Sequence, residues 1–84
     1  MLDDRDTFVR RNAAEALGKI GDLKSKPFLL AKLDDSEPAV REAAARSLGW
    51  LSGLDSTARL KLTLLLQDAD MLVQRAAAQA LSRD

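Results

Sequence analysis

The 84-residue chain contains no cysteine and no histidine. Without cysteine there is no disulfide, thiolate zinc site or cysteine nucleophile. Without histidine it lacks the commonest metal ligand and the usual general base at neutral pH. Aromatic side chains are scarce: Phe8, Phe28 and Trp50 are all there are. Excess charge of either sign is also missing, because 13 basic residues balance 13 acidic ones. Bulk charge therefore points to neither a nucleic acid nor a membrane surface. No apolar run approaches the roughly 18 residues of a membrane span. The acidic start, Asp3-Asp4-Arg5-Asp6, fits no signal peptide, so a cytoplasmic protein is expected. What is present, 46% hydrophobic and 31% charged residues, is ordinary for a globular chain and too apolar for a disordered one. A chain this short hides only roughly 60% of its unfolded surface, so a single domain over 1–84 with a thin core is expected.

The chain repeats itself. Residues 2–18, 33–49 and 66–82 align without gaps, at offsets of 31 and 33. Nine of 17 positions agree between the first two segments, and seven of 17 between the last two. The columns shared by all three are Leu2/Leu33/Leu66, Asp4/Asp35/Asp68, Val9/Val40/Val73, Ala13/Ala44/Ala77, Ala14/Ala45/Ala78 and Leu17/Leu48/Leu81. A period of this length marks a repeat architecture. The units run over about 2–32, 33–65 and 66–84, the last one partial.

Each unit reads as two helices. Val9, Ala13, Leu17 and Ile20 fall at helical spacing and predict one narrow apolar stripe. Val40, Ala44, Leu48 and Leu51 repeat it, as do Val73, Ala77 and Leu81. Alanines between the larger residues favour helix and let neighbouring helices approach closely. Asp6, Ser36 or Glu37, and Asp70 are the expected N-terminal signals. Pro38 suits a first turn, and Gly21 and Gly53 suit helix ends. Second helices are expected over 25–33 and 56–66, with Pro27 in a first turn. Their inward residues are expected to be Leu29, Leu30 and Leu33, then Leu60, Leu64 and Leu65, with Leu62 nearer the flank. No run of β-branched residues predicts a strand. The expected fold is all-α: five helices in two and a half repeats.

The first unit starts as though a second helix preceded it, and the third stops after its first helix. Terminal repeats normally carry polar outer faces, yet Phe8 lies near one end, and Met71 and Leu72 open the last helix. These three residues are the candidate end-face contacts. The expectation is a piece of a longer array, or a short protein whose ends are covered by a partner or by a second copy.

The pattern formed by Leu33, Asp35, Glu37, Pro38, Val40, Arg41, Ala44, Ala45, Leu48 and Gly49 resembles the short HEAT-like repeat of phycobilisome-lyase type. That resemblance implies an α-solenoid: antiparallel helix pairs stacked into a right-handed superhelix, with first helices on the convex side and second helices on the concave side. It also implies a ladder between repeats, formed by the turn aspartate and the arginine after the valine. Here those residues are Asp4, Asp35 and Asp68, with Arg10 and Arg41. Gln74 stands where the third arginine would be, and Ser82 where Gly18 and Gly49 stand. The motif is structural, and such a fold hosts many functions.

Site chemistry is thin. The acidic turns lack the glycine and distant glutamate of an EF-hand loop and read as caps and ladder residues. No serine has a histidine to activate it, and no nucleophile elbow is present. No catalytic residue, metal ligand or cofactor site is expected. One asymmetry stands out: residues 24–33 and 56–66 contain Lys24, Lys26, Lys32, Arg59 and Lys61 but no acid. These five are the candidate concave interaction face. Solvated helix flanks explain them simply, and a groove for an acidic peptide or phosphate backbone is the functional alternative. Trp50, where the first unit has Lys19, lies off the stripe. It is either a packing residue, the simpler expectation, or a binding anchor. The leading function is a non-catalytic scaffold for a protein partner. The resemblance adds a fragment or subunit of a phycobilin lyase as the alternative. A HEAT-like nucleic-acid-binding module comes last, since zero net charge and no interleaved aromatics disfavour it.

Overall fold

Proline and glycine punctuate the chain where its helices begin and end. The computed structural model describes residues 6–51 and 54–83. They form five α-helices: α1 (Thr7–Ile20), α2 (Lys26–Lys32), α3 (Pro38–Trp50), α4 (Ser56–Leu65) and α5 (Met71–Arg83). Among the described residues there is no strand. Pro27 and Pro38 lie in the first turns of α2 and α3, where a missing N–H breaks no helical bond. Gly21 ends α1 at φ 74°, its amide donating to the Leu17 carbonyl at 3.1 Å. Only glycine takes that backbone freely. Gly53 and Asp4 lie outside the described residues. Residues 23–25 wind as a 3₁₀ turn, so α2 starts one residue later than the spacing predicts.

Of the helix starts the sequence predicts, Asp70 caps through its side chain, and Asp6 and Glu37 do not. Asp70 accepts from the amides of Leu72 and Val73, at 2.8 and 3.2 Å. The side chains of Asp6 and Glu37 cap nothing. Instead Asp35 accepts from the Glu37 amide at 3.0 Å, and Asp55 caps α4 through the Ala58 amide at 2.9 Å. Asp22 does the same for the 3₁₀ turn through the Lys24 amide.

The helices stack as an α-solenoid. α1, α3 and α5 lie side by side, while α2 rests mainly on α3 and α4 on α5. Each second helix therefore braces the first helix of the following unit. The molecule is 17 Å thick in its smallest dimension, the depth of two helix layers. The first-helix row is built on small residues: Ala14, Ala43, Ala44, Ala45, Ala76 and Ala77 are buried. At the tightest points a Cβ on Gly18 would stand 2.7 Å from Ser47 Cα, and one on Gly49 would stand 2.9 Å from Ala80 Cα. Leu29, Leu33, Leu48 and Leu62 fill the space between the layers, each contributing about 1.5–3 kcal/mol.

The apolar stripe behaves differently along the array. Val40, Ala44, Leu48 and Leu51 are all buried, as are Val73 and Ala77. In α1, however, Val9 is 61% exposed and Ile20 is also exposed. The face that receives the preceding unit in α3 and α5 has no neighbour in α1 among the described residues. The phase expected for α4 is wrong. Leu62, expected on the flank, is fully buried, whereas Leu60 and Leu64 are 62% and 65% exposed. The 33-residue offset pairs Leu62 with the buried Leu29, and Leu60 and Leu64 with the exposed Pro27 and Ala31. Packing in the solenoid follows that register.

Candidate functional site

The turns between units position two arginine–aspartate clasps. Arg10 donates from Nε and Nη2 to the two carboxylate oxygens of Asp35, at 2.8 and 3.0 Å. One unit on, Arg41 does the same to Asp68, at 2.9 and 3.1 Å. Arg41 also donates from Nη1 to the Asp35 carbonyl at 2.8 Å. It thus grips its own turn and the next one together. Gln74 donates to the Asp68 carbonyl at 2.6 Å, which retains the inward half of that arrangement without its charge. Both aspartates are largely covered. Burial pushes the Asp35 carboxyl up, but the Arg10 guanidinium and the Glu37 amide outweigh it and hold the group below the usual carboxylate range. Asp68 is held low in the same way, burial being outweighed by Arg41 and the Asp70 amide. A carboxylate kept ionised by a fixed cation is a clasp rather than a proton-transfer group. Among the described residues no group of three or more acids could hold a metal ion.

The basic second-helix residues have particular neighbours. Lys61 pairs with Asp34 at 2.7 Å and Lys26 with Asp55 at 3.6 Å. The Lys32 ammonium lies 5.3 Å above the Phe28 ring. Lys24 and Arg59 are exposed. The two aspartates are exposed, so these pairs are weak and exchangeable. Leu60 and Leu64, four residues apart, share one exposed stripe of α4 between Arg59 and Lys61. Sequence reasoning had assigned those leucines to the core and so missed an apolar element of this face. The 33-residue register was the signal that could have found it.

The ends carry Phe8, Met71 and Leu72, all well exposed, with the Arg11 guanidinium 5.2 Å above the Phe8 ring. Trp50 is 37% exposed at the rim of a groove between α3 and α5, so it is neither fully packed nor free.

Comparison with known proteins agrees with this architecture. The sequence profile of HEAT repeats matches residues 1–82, and the chain belongs to that family. Over 43 residues it is 54% identical to the phycocyanobilin lyase subunit alpha of Nostoc sp., a match covering 51% of this chain and 16% of that protein. Over 56 residues it is 41% identical to the phycocyanobilin lyase subunit alpha of Picosynechococcus sp., covering 67% of this chain and 21% of that protein. The aligned part is thus about a fifth or less of the length of these relatives. No described helix is long and apolar enough to cross a membrane.

Proposed function

We propose that the chain is a non-catalytic scaffold module, cytoplasmic in setting, that holds a protein partner on helical faces its own fold leaves open. One observation carries this reading. Val40 is fully buried, yet its counterpart Val9 in α1 is open, with Phe8 before it in the chain, and Met71 and Leu72 are open on α5. Large apolar side chains collected at such faces mark interaction sites. A second copy docking head-to-tail would extend the solenoid, whereas a two-fold contact would close as a dimer. The second helices, with Lys24, Lys26, Lys32, Arg59 and Lys61 and the exposed Leu60 and Leu64, offer a further surface suited to an acidic, partly apolar segment. Sedimentation velocity at rising concentration tests the end faces, with Val9→Lys as the comparison. Association that the variant abolishes supports the reading. A parent that stays monomeric at high micromolar concentration and is equally stable on dilution removes self-association from it.

The second reading is a piece of a phycocyanobilin lyase subunit, favoured by the 54% and 41% identities. Pigment contacts would then be shared with the remainder of a longer chain. Mixing the protein with phycocyanobilin and following the absorbance spectrum tests it; an unchanged spectrum removes direct pigment binding by this module.

A further inference from the structure

The two joints of the first-helix row differ on their outer side. Glu15, Arg46 and Gln79 occupy one column of the repeat, and Lys19, Trp50 and Arg83 another. Across the α1–α3 joint the first column pairs Glu15 with Arg46, at 3.4 Å, and the bridge spans the gap. Across the α3–α5 joint the same column brings Arg46 opposite Gln79, which share no such bridge. The gap stays open as a groove of about 130 Å³. Its floor is Gly49, Ala76 and Ala80, and its walls carry Arg46, Trp50, Gln79 and Arg83.

The lining is rich in donors. Two guanidiniums, an indole N–H and the amide group of Gln79 offer donors, and among the described residues no acid lines the groove. Glu42 and Glu15 hold Arg46, but neither lines the groove. The last turns of α3 and α5 present carbonyl oxygens nearby, so attraction for an anion comes from the guanidiniums and not from the helix axes, chiefly from Arg83, because Glu15 and Glu42 already offset the charge of Arg46. The volume exceeds that of a bare carboxylate and falls well below the several hundred Å³ of a whole-ligand pocket. It fits a carboxylate on a two-carbon stem, with the stem against Trp50 and the alanine floor.

We propose that this groove is an anion subsite that takes one carboxylate-bearing arm of a larger ligand. The arm is either a glutamate side chain of a partner protein or the acid arm of a small molecule. Trp50 is the sole tryptophan, so its fluorescence and its indole N–H resonance report on the groove alone. Sodium propionate and acetyl-glutamyl-amide are titrated at constant ionic strength, with propionamide and sodium chloride as controls. A saturable Trp50 response to the carboxylates, absent with propionamide and chloride, supports the subsite. Tighter saturation by acetyl-glutamyl-amide assigns a peptide source, and tighter saturation by propionate a small molecule. Arg83→Gln should weaken the response about tenfold, and Gln79→Glu, which places a like charge in the groove, should abolish it. Both sites lie on the exposed face of α5, and circular dichroism checks that each variant folds. A response that propionamide matches, that never saturates, or that both folded variants retain overturns the proposal.

Discussion

The Ser47 hydroxyl on α3 donates to the Ala14 carbonyl on α1 at 2.7 Å, in the space that Gly18 leaves by having no side chain. Gly18 and Ser47 are both buried, and a Cβ on Gly18 would collide with the Ser47 Oγ and Cβ. Glycine inside a helix costs about 1 kcal/mol relative to alanine. Its presence here therefore reflects the close approach of α1 to α3 rather than any helix preference.

That relationship fixes the sign of the first prediction. Gly18→Ala, which in an exposed helix would stabilise, should destabilise this protein by about 1–3 kcal/mol through overpacking. Combining it with Ser47→Gly should recover part of the loss, because the two sites touch and their effects are not additive. Urea unfolding of the four proteins in this cycle checks it. Additive losses would mean that the two helices do not meet at this pair.

The turn clasps give the second. Arg41 holds Asp68 through two bonds and the Asp35 carbonyl through a third. Arg41→Ala should cost about 2–3 kcal/mol, since hydrogen bonds to charged groups contribute about 1.5–3 kcal/mol and Asp68, largely covered, would be left without its cation. Gln74→Ala removes one neutral donor and should cost about 1 kcal/mol. Equal losses in denaturant melts would show that the charge in the clasp contributes nothing.

Most of the fold was legible because repetition tests itself. Valine, alanine and leucine recur in fixed columns over three segments, and the helices lie where those columns place them. The α4 phase was not legible from α4 alone. Leu60, Leu62, Leu64, Leu65 and Leu66 spread apolar surface around most of the helix, so helical spacing selects no face. Only the alignment of Leu62 with Leu29 does. The arginines and aspartates of the clasps could be named from the motif, but their partners could not be read from it. Each arginine reaches forward to the aspartate of the next unit, a consequence of stacking that one repeat does not contain. The α3–α5 groove was hidden for the same reason. It arises where Arg46 faces Gln79 across a joint, not from any local motif.

Acid should act through the same clasps. The folded protein holds the Asp35 and Asp68 carboxyls below their ordinary value, which is about 3.9 in an unfolded chain. The unfolded state then takes up protons first as pH falls. The stabilisation is fully present above the unfolded value and is lost as pH drops through the folded one. Unfolding free energy should be flat from about pH 7 to 5 and fall steeply below about 4. Asp35→Asn should lower the neutral plateau and flatten the acid limb. A parent with equal stability at pH 6 and pH 3 would contradict this.

The leucines of α4 supply the last prediction, because burial and exposure alternate within five residues. Leu62 is enclosed between the helix layers, whereas Leu60 and Leu64 face outward. Leu62→Ala should cost about 2–5 kcal/mol, the range for removing a buried leucine when the surroundings collapse only in part. Leu60→Ala and Leu64→Ala should each change stability by no more than about 0.5 kcal/mol, as outward positions do. A docking role for the second-helix face adds a separate consequence. Leu64→Lys should leave the melting temperature nearly unchanged while weakening capture of an acidic, leucine-bearing peptide, measured by fluorescence anisotropy. If the exposed leucines instead destabilise as much as Leu62, then α4 sits rotated from the orientation described, and the surface assigned to it dissolves with it.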